Sequence, residues 1–328
     1  MNFIDPDFES KLITSYNEAK SVLKAGAVAD YIPELAKSDK NKLGIFIKYL
    51  HNNDQFSYGD SSDKFTMQSI SKVCSFLICQ SEFSSKDIFT RVGFEPSGAP
   101  FSELTTLSDF GEKPNNPFIN AGAIVICSML ASKLSFDDFR AYVAQLCDTD
   151  EIFVNEEIYK SESSSNSRNH SLAWELKRLG LLLTEPEGAL DFYTLMCSLE
   201  VNLEQLASLA ALLANNGVSI RSGEVIIPEE HVKTTLSLMF TCGLYDGTGS
   251  FAVHTGLPAK SGVGGGIIAV KQGEFGLATF GPALDKYGNS IGGIKLITAL
   301  SQRLHWHIFS TKQHLRKIRN SKHEHSEE

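Results

Sequence analysis

The chain has 328 residues, a formal net charge of −9, 42% hydrophobic and 21% charged residues. That balance sits near the globular average and excludes a disordered, coiled-coil or fibrous chain, and the acidic excess offers no basic surface to nucleic acid. At this length a chain buries roughly 75% of its unfolded surface, enough for one large core or two sub-domains sharing a deep cleft.

In chain order, apolar positions at helical spacing around Leu12, Ile13, Tyr16, Val22 and Leu23 predict a helical N-terminus over residues 10–37, with Pro33 opening a second short helix. Leu43–Tyr49 reads as a strand, and the polar run Gly59–Asp63 as the turn behind it. From about residue 69 to 240 the periodicity is mainly helical, at Lys72–Cys79, Ala121–Leu134, Asp137–Leu146, Ser171–Leu183, Leu190–Leu199 and Leu203–Asn215. Strands return as a hairpin, Gly266–Lys271 and Glu274–Phe280 around Gln272 and Gly273, before a last helix over Ser290–Leu304. This order predicts an α+β fold, an antiparallel sheet built from both chain ends and flanked by the terminal helices, with a large helical sub-domain inserted. We expect one catalytic domain over 1–308, its α/β part at about 1–68 and 241–308 and its helical part at about 69–240. The active site is expected at their junction, and the polar tail 309–328 is expected to fray.

No basic segment followed by an apolar stretch opens the chain, and nowhere do 18 apolar residues run together, so the expectation is a cytoplasmic protein with no membrane partner. The six cysteines (Cys74, Cys79, Cys127, Cys147, Cys197 and Cys242) lie mostly in apolar runs without a Cys-x-x-Cys pair, and read as buried free thiols. Five of the nine histidines fall after residue 304, in His305-x-His307 and His323-x-His325 among others, with no cysteine or paired carboxylate at ligand spacing. Neither a catalytic metal nor a cofactor is expected.

Chemistry concentrates in two short motifs. Gln68-Ser69-Ile70-Ser71-Lys72 contains Ser-x-x-Lys, which at a helix start puts hydroxyl and amine on one face. A lysine kept partly neutral by desolvation can take the serine proton, and the helix N-terminus favours developing negative charge. The spacing occurs twice more, at Ser21/Lys24 and Ser61/Lys64, but only Ser69 opens an almost wholly apolar run, Val73–Cys79. The second motif is Lys260-Ser261-Gly262 before the late hairpin, preceded by Tyr245. Ser-x-x-Lys followed by a late Lys-[Ser/Thr]-Gly is the layout of serine β-lactamases and the penicillin-binding DD-peptidases. Gly264, Gly265 and Gly266 let the backbone approach a substrate, and fit neither a Walker loop nor a dinucleotide fingerprint.

Five segments in order, Val28–Ala36, Gln68–Lys72, Asn116–Ile124, Ser161-Glu162 with Arg168-Asn169, and Ala259–Val263, resemble the glutaminase A family, from about residue 20 to 300. The resemblance implies a β-lactamase-like fold and a hydrolase that converts L-glutamine to L-glutamate and ammonia through a serine acyl-enzyme. It implies Ser69 as nucleophile, Lys72 as base, Tyr245 as proton relay, and the Ser69 and Val263 N–H groups as oxyanion hole, with Lys260, Ser261 and Gly262 in support. Tyr31, Asn120, Glu162, Asn169 and Tyr193 match positions that hold the glutamine head, completed by Gln68, Ser69, Tyr245 and Val263. An α-ammonium wants a carboxylate such as Glu162, and an α-carboxylate wants donors such as Asn120 and Tyr31. A homodimer or homotetramer is expected.

Taken singly, these residues have plainer readings. Glu162 lies in a serine run, Ser163–Ser165, that reads as a loop with a solvated carboxylate, and Asn120 could cap a helix. Tyr31, Tyr193 and Tyr245 could be core aromatics. Phe101-Ser102-Glu103 and the Ser163–Ser165 run depart from the family pattern, away from the catalytic positions. Another serine hydrolase of the same fold, such as a β-lactamase, or a non-catalytic sensor would share the Ser69/Lys72 pair. The lack of a leader segment and the polar head-binding set argue against the first, and the intact Ser69, Lys72, Tyr245 and Lys260 against the second.

Overall fold

A computed structural model describes residues 7–51, 54–96 and 113–310. The departure at Phe101–Glu103 and the tail after Ser310 lie outside the described residues.

Strand β1 (Gly44–Tyr49) is buried on both faces, and its alternating side chains divide the interior. Ile45, Ile47 and Tyr49 join one apolar cluster with Phe8 and Leu12 of helix α1 (Phe8–Val22), while Phe46 joins a second, larger cluster on the other face. The same division runs along the hairpin. Ile267 and Ala269 of β7 (Gly266–Lys271) and Phe275 and Leu277 of β8 (Phe275–Phe280) face α1, and Ile268, Val270 and Ala278 face away. With β2 (Gln55–Gly59) and β6 (Ala259–Ser261) these strands form one antiparallel sheet of order β2-β1-β8-β7-β6. All its strands come from the two chain ends, as the sequence predicts. Strand β2 is an addition: its side chains are largely exposed, so the apolar alternation that marks a strand is missing from it. A second antiparallel sheet, of order β3-β5-β4, joins β3 (Phe65–Thr66), β5 (Leu199–Val201) and β4 (Phe153–Val154).

Helix α1 and, late in the chain, α12 (Ile291–Leu304) cover one face of the large sheet. The other face carries α9 (Leu203–Ala214), apolar almost all round because helices lie behind it as well. Close contact here depends on Gly276 of β8, where a Cβ would stand 2.0 Å from the Ala211 nitrogen. Among the described residues the remaining α-helices are α2 (Ser71–Glu82), α3 (Ser85–Arg91), α4 (Asn120–Ala131), α5 (Phe136–Leu146), α6 (Glu156–Ser165), α7 (Ser167–Arg178), α8 (Pro186–Cys197), α10 (Glu229–Cys242) and α11 (Thr248–His254).

Two of these correct the sequence reading. The segment around Glu162 is helix α6, capped at Asn155, whose side chain accepts from the Ile158 N–H at 3.0 Å. Only Ile158 and Glu162 of this helix are buried, one turn apart, which is too thin an apolar stripe to read as a helix. The helix expected over Ser171–Leu183 starts earlier, at Ser167, and stops at Arg178, because Gly180 turns left-handed at φ 71°.

Candidate active site

Strand β3 leads into a 3-10 turn, Gln68–Ile70, that delivers Ser69 to the start of α2. Lys72 lies in the first turn of α2, so the pair spans a 3-10 turn and a helix start where the sequence suggests a single helical turn. Gln68 has φ 47°, a left-handed conformation that costs a residue with a Cβ about 1–3 kcal/mol. Ser69 is 6% exposed, and Lys72 is wholly buried.

The Lys72 amine donates to the Asn120 Oδ1 at 2.7 Å and to the Phe118 carbonyl at 3.3 Å. Burial lowers its pKa from 10.5 to about 8, against weaker upward pulls from Cys197, Cys127 and Glu162. Asn120 is the first residue of α4, and its side chain caps nothing. Its Nδ2 donates to Asn169 Oδ1 at 3.1 Å, and its Oδ1 accepts from both Lys72 and the Tyr193 hydroxyl, the latter at 3.2 Å. The α4 start is held by Asn116, whose Oδ1 accepts from the Phe118 and Ile119 N–H groups, and by Gly122, where a Cβ would stand 2.0 Å from the Asn116 carbonyl oxygen.

A cavity of about 480 Å³ opens over Ser69, lined by Tyr31, Gln68, Asn120, Glu162, Asn169, Tyr193 and Val263 together with Ile32, Ser165, Asn166 and Arg168. Glu162 is 7% exposed and accepts from Gln68 Nε2 at 3.3 Å. Burial raises its pKa from 4.5 to about 7, opposed by the Gln68 hydrogen bond and Lys72. Tyr31 is 55% exposed at the mouth, so it is no core aromatic, yet its hydroxyl is held above the usual phenol range by burial, with Tyr245 and Glu162 facing it. The segment behind it is tied to α6, because the Glu34 N–H donates to Ser161 Oγ at 3.2 Å.

Behind Ser69 the edge strand β6 presents Lys260 and Ser261, both completely buried. Lys260 donates to the Ser261 carbonyl at 2.6 Å, stands 4.7 Å from the Tyr245 ring centre, and has its pKa pushed well down, chiefly by burial. Tyr245 also adopts positive φ, 51°. Burial raises its hydroxyl pKa to about 12, against a weaker downward pull from the Ser69 hydroxyl, and the Ser261 hydroxyl also faces it. Gly262 brings two backbones together: a Cβ there would stand 2.6 Å from the Met67 carbonyl oxygen and 3.2 Å from the Ser69 nitrogen. Among the described residues no three His, Cys, Asp or Glu side chains gather as a metal site needs.

The glutaminase family model matches residues 26–309 of this chain. The chain belongs to the glutaminase family. A glutaminase of Clostridium tetani (strain Massachusetts / E88) is 43% identical to it over 305 residues, covering 92% of this chain and 99% of its own length. Among solved structures, a probable glutaminase, ybaS, superimposes with a TM-score of 0.87 at 33% identity, over 94% of this chain and 100% of its own. The covalent complex between the Bacillus subtilis glutaminase YbgJ and 5-oxo-L-norleucine, formed by reaction with 6-diazo-5-oxo-L-norleucine, gives 0.83 at 32% identity over 93% and 100%.

As a glutaminase the protein is a hydrolase of amide C–N bonds with a β-lactamase-like fold. Of its sequence-predicted head-binding residues all but Tyr245 line one cavity; Tyr245 stands behind Ser69 with Lys260, Ser261 and Gly262. What sequence reasoning missed is the Phe118 carbonyl, a backbone acceptor no side-chain pattern can reveal, and Asn166 and Arg168. Asn166 sits at the break between α6 and α7, three residues from Asn169, which is the one signal that could have pointed to it. No helix among the described residues is long and apolar enough to cross a membrane.

Proposed function

We propose that this glutaminase hydrolyses L-glutamine to L-glutamate and ammonia through a γ-glutamyl ester on Ser69. One observation carries the reading: a cavity-lining serine stands three residues before a wholly buried lysine whose pKa is lowered to about 8. A neutral lysine amine has two N–H groups and one lone pair. Asn120 and Phe118 take the two N–H groups, which leaves the lone pair to accept the Ser69 proton.

The Ser69 Oγ then bonds to the amide carbon, and its proton passes to Lys72. The oxyanion is held by the Ser69 and Val263 N–H groups, whose backbones meet through Gly262. As the C–N bond breaks, Lys72 and Tyr245 return a proton to the leaving nitrogen, and ammonia departs. Water attacks the ester, gives a proton to Lys72, and Ser69 recovers its own as glutamate leaves.

Head recognition follows from the cavity wall. The substrate ammonium pairs with Glu162, whose burial makes an ionised partner valuable, and the Asn120, Asn169 and Tyr31 donors suit the α-carboxylate. The covalent complex that YbgJ forms on reaction with 6-diazo-5-oxo-L-norleucine, a glutamine-shaped diazoketone, supports a nucleophilic route. The test is ammonia release from L-glutamine and L-asparagine, and turnover of a β-lactam reporter, by the wild type and Ser69→Ala. Glutamine turnover that disappears in Ser69→Ala is expected. No glutamine turnover by the wild type, or full turnover by Ser69→Ala, contradicts the proposal.

A further inference from the structure

The loop between β8 and α12 sends into the back of the site a side chain to which the mechanism above gives no task. Asn289 is completely buried. Its Nδ2 donates to the Leu244 carbonyl at 3.1 Å, and its Oδ1 accepts from the Ser261 hydroxyl at 2.6 Å. Leu244 immediately precedes Tyr245. Ser261 ends β6, two residues before Val263. One carboxamide therefore bridges the two segments that carry the proton relay and half of the oxyanion hole.

Both hydrogen bonds have a forced direction. A backbone carbonyl only accepts, so Nδ2 must face Leu244, and Oδ1 is left for Ser261. A carboxamide oxygen also only accepts, so Ser261 must spend its single proton there, and has only lone pairs to offer the Tyr245 phenol that it faces. Asn289 itself is held by its own turn. Asp285 Oδ1 accepts from the Tyr287 N–H at 2.8 Å and the Asn289 N–H at 3.0 Å, and the Asn289 carbonyl accepts from the Asp285 N–H at 2.8 Å. Ser290 next to it caps α12 through the Gly293 N–H at 3.1 Å. The clamp is thus anchored to a helix that takes no part in the site. Tyr245, at φ 51°, needs such an anchor, because a left-handed residue with a Cβ keeps its conformation only where its surroundings impose it.

We propose that Asn289 is a positioning residue for the glutaminase reaction, fixing Tyr245 and the Ser261–Val263 segment relative to each other and setting the direction of the Ser261 hydroxyl. The proposal rests on Tyr245 being the proton relay, and makes Asn289 act through it. A positioning residue here affects the chemical step far more than head binding, since Glu162, Asn169 and Tyr31 lie on other segments and Val263 is the one cavity-lining residue in the clamped segments.

The experiment is a double-mutant cycle in the full chain, with kcat and KM for L-glutamine measured on Asn289→Ala, Tyr245→Phe and the double variant. Asn289→Ala is expected to lower kcat about 10- to 100-fold, with KM within about 3-fold of the wild type. In the Tyr245→Phe background the same change is expected to cost clearly less, because only the part that acts through the Val263 segment remains. Ser261→Ala, a small change that keeps the site filled, is run in the same cycle and serves if Asn289→Ala does not fold; the same non-additive loss of kcat is expected. Wild-type kcat in the folded Asn289→Ala or Ser261→Ala enzyme, or an equal fold-loss with and without the Tyr245 hydroxyl, overturns the proposal. Wild-type kcat in Tyr245→Phe alone overturns the relay reading beneath it.

Discussion

Lys72 and Asn120 meet through a 2.7 Å hydrogen bond in an interior that leaves Lys72 no exposed surface and Asn120 only 8%. The bond orients the amine, and the burial around it lowers the pKa to about 8, so the proposed base, which acts neutral, becomes available only as pH approaches that value. Replacing it by Lys72→Met is expected to lower kcat about 10²- to 10⁴-fold. Stopped ammonia-release assays across pH 6–9 check both points. In the wild type kcat should rise through about pH 8, and an unchanged kcat in Lys72→Met would remove the amine from the chemistry.

Glu162 gives the pH profile a second component. Burial raises the pKa of its carboxyl to about 7 in the free enzyme, and the proposed contact with the substrate ammonium needs it ionised. Log kcat/KM should therefore climb with a slope approaching two below about pH 7. Log kcat should climb with a slope of one, because bound ammonium keeps Glu162 ionised. Equal slopes for the two parameters would contradict the role given to Glu162.

The same carboxylate weakens the empty fold. Its folded pKa is raised from 4.5 to about 7, so the folded state binds the extra proton between those values; its contribution to stability is complete below 4.5 and is lost as pH rises through about 7. The shift corresponds to about 3 kcal/mol. Glu162→Gln is expected to raise the midpoint of thermal unfolding at pH 8 while raising KM for glutamine at least about 10-fold through the lost charge-assisted contact. Thermal unfolding and steady-state kinetics on one preparation check this, and a destabilised variant with unchanged KM would speak against both halves.

Gly262→Ala tests the backbone contact behind the proposed oxyanion site. Its Cβ would meet the Met67 carbonyl oxygen at 2.6 Å, so β6 must retreat from the Ser69 turn. We expect a stability loss of about 1–3 kcal/mol from overpacking and a fall in kcat of about 100-fold from the displaced Val263 N–H. Chemical denaturation and kcat are the measurements; a stable, fully active variant would place the oxyanion donors elsewhere.

Thiol chemistry should leave the enzyme active. Five of the six cysteines are buried and Cys242 is partly exposed, and burial raises the thiol pKa of each. A chromogenic disulfide reagent at neutral pH is expected to titrate about one thiol in the folded protein, with little loss of glutaminase activity. Rapid reaction of several thiols with parallel inactivation would show that the core around Cys127 and Cys197 opens.

How far the sequence reached depended on whether a feature leaves a periodic or chemical trace. The three central strands of the five-stranded sheet were legible because β1, β7 and β8 are apolar on both faces, and the late hairpin has its turn at Gly273, φ 72°. The second sheet was not, since strands of two or three residues fall below any window of alternation. The Ser-x-x-Lys spacing could not choose among its three occurrences. Burial does: Ser21 and Lys24 are exposed, Lys64 is exposed beside a half-buried Ser61, and only Ser69 and Lys72 lie inside. Glu162 was legible through its family resemblance alone, because the α6 surface around it is polar. The left-handed conformations of Gln68 and Tyr245 left no trace, since neither residue type favours positive φ.

The most direct test of Ser69 as nucleophile is mass spectrometry of the enzyme after incubation with 6-diazo-5-oxo-L-norleucine. One 5-oxo-L-norleucine group on the peptide containing Ser69, absent from Ser69→Ala, is the expected result. An adduct on another residue, or equal labelling of Ser69→Ala, would contradict the account.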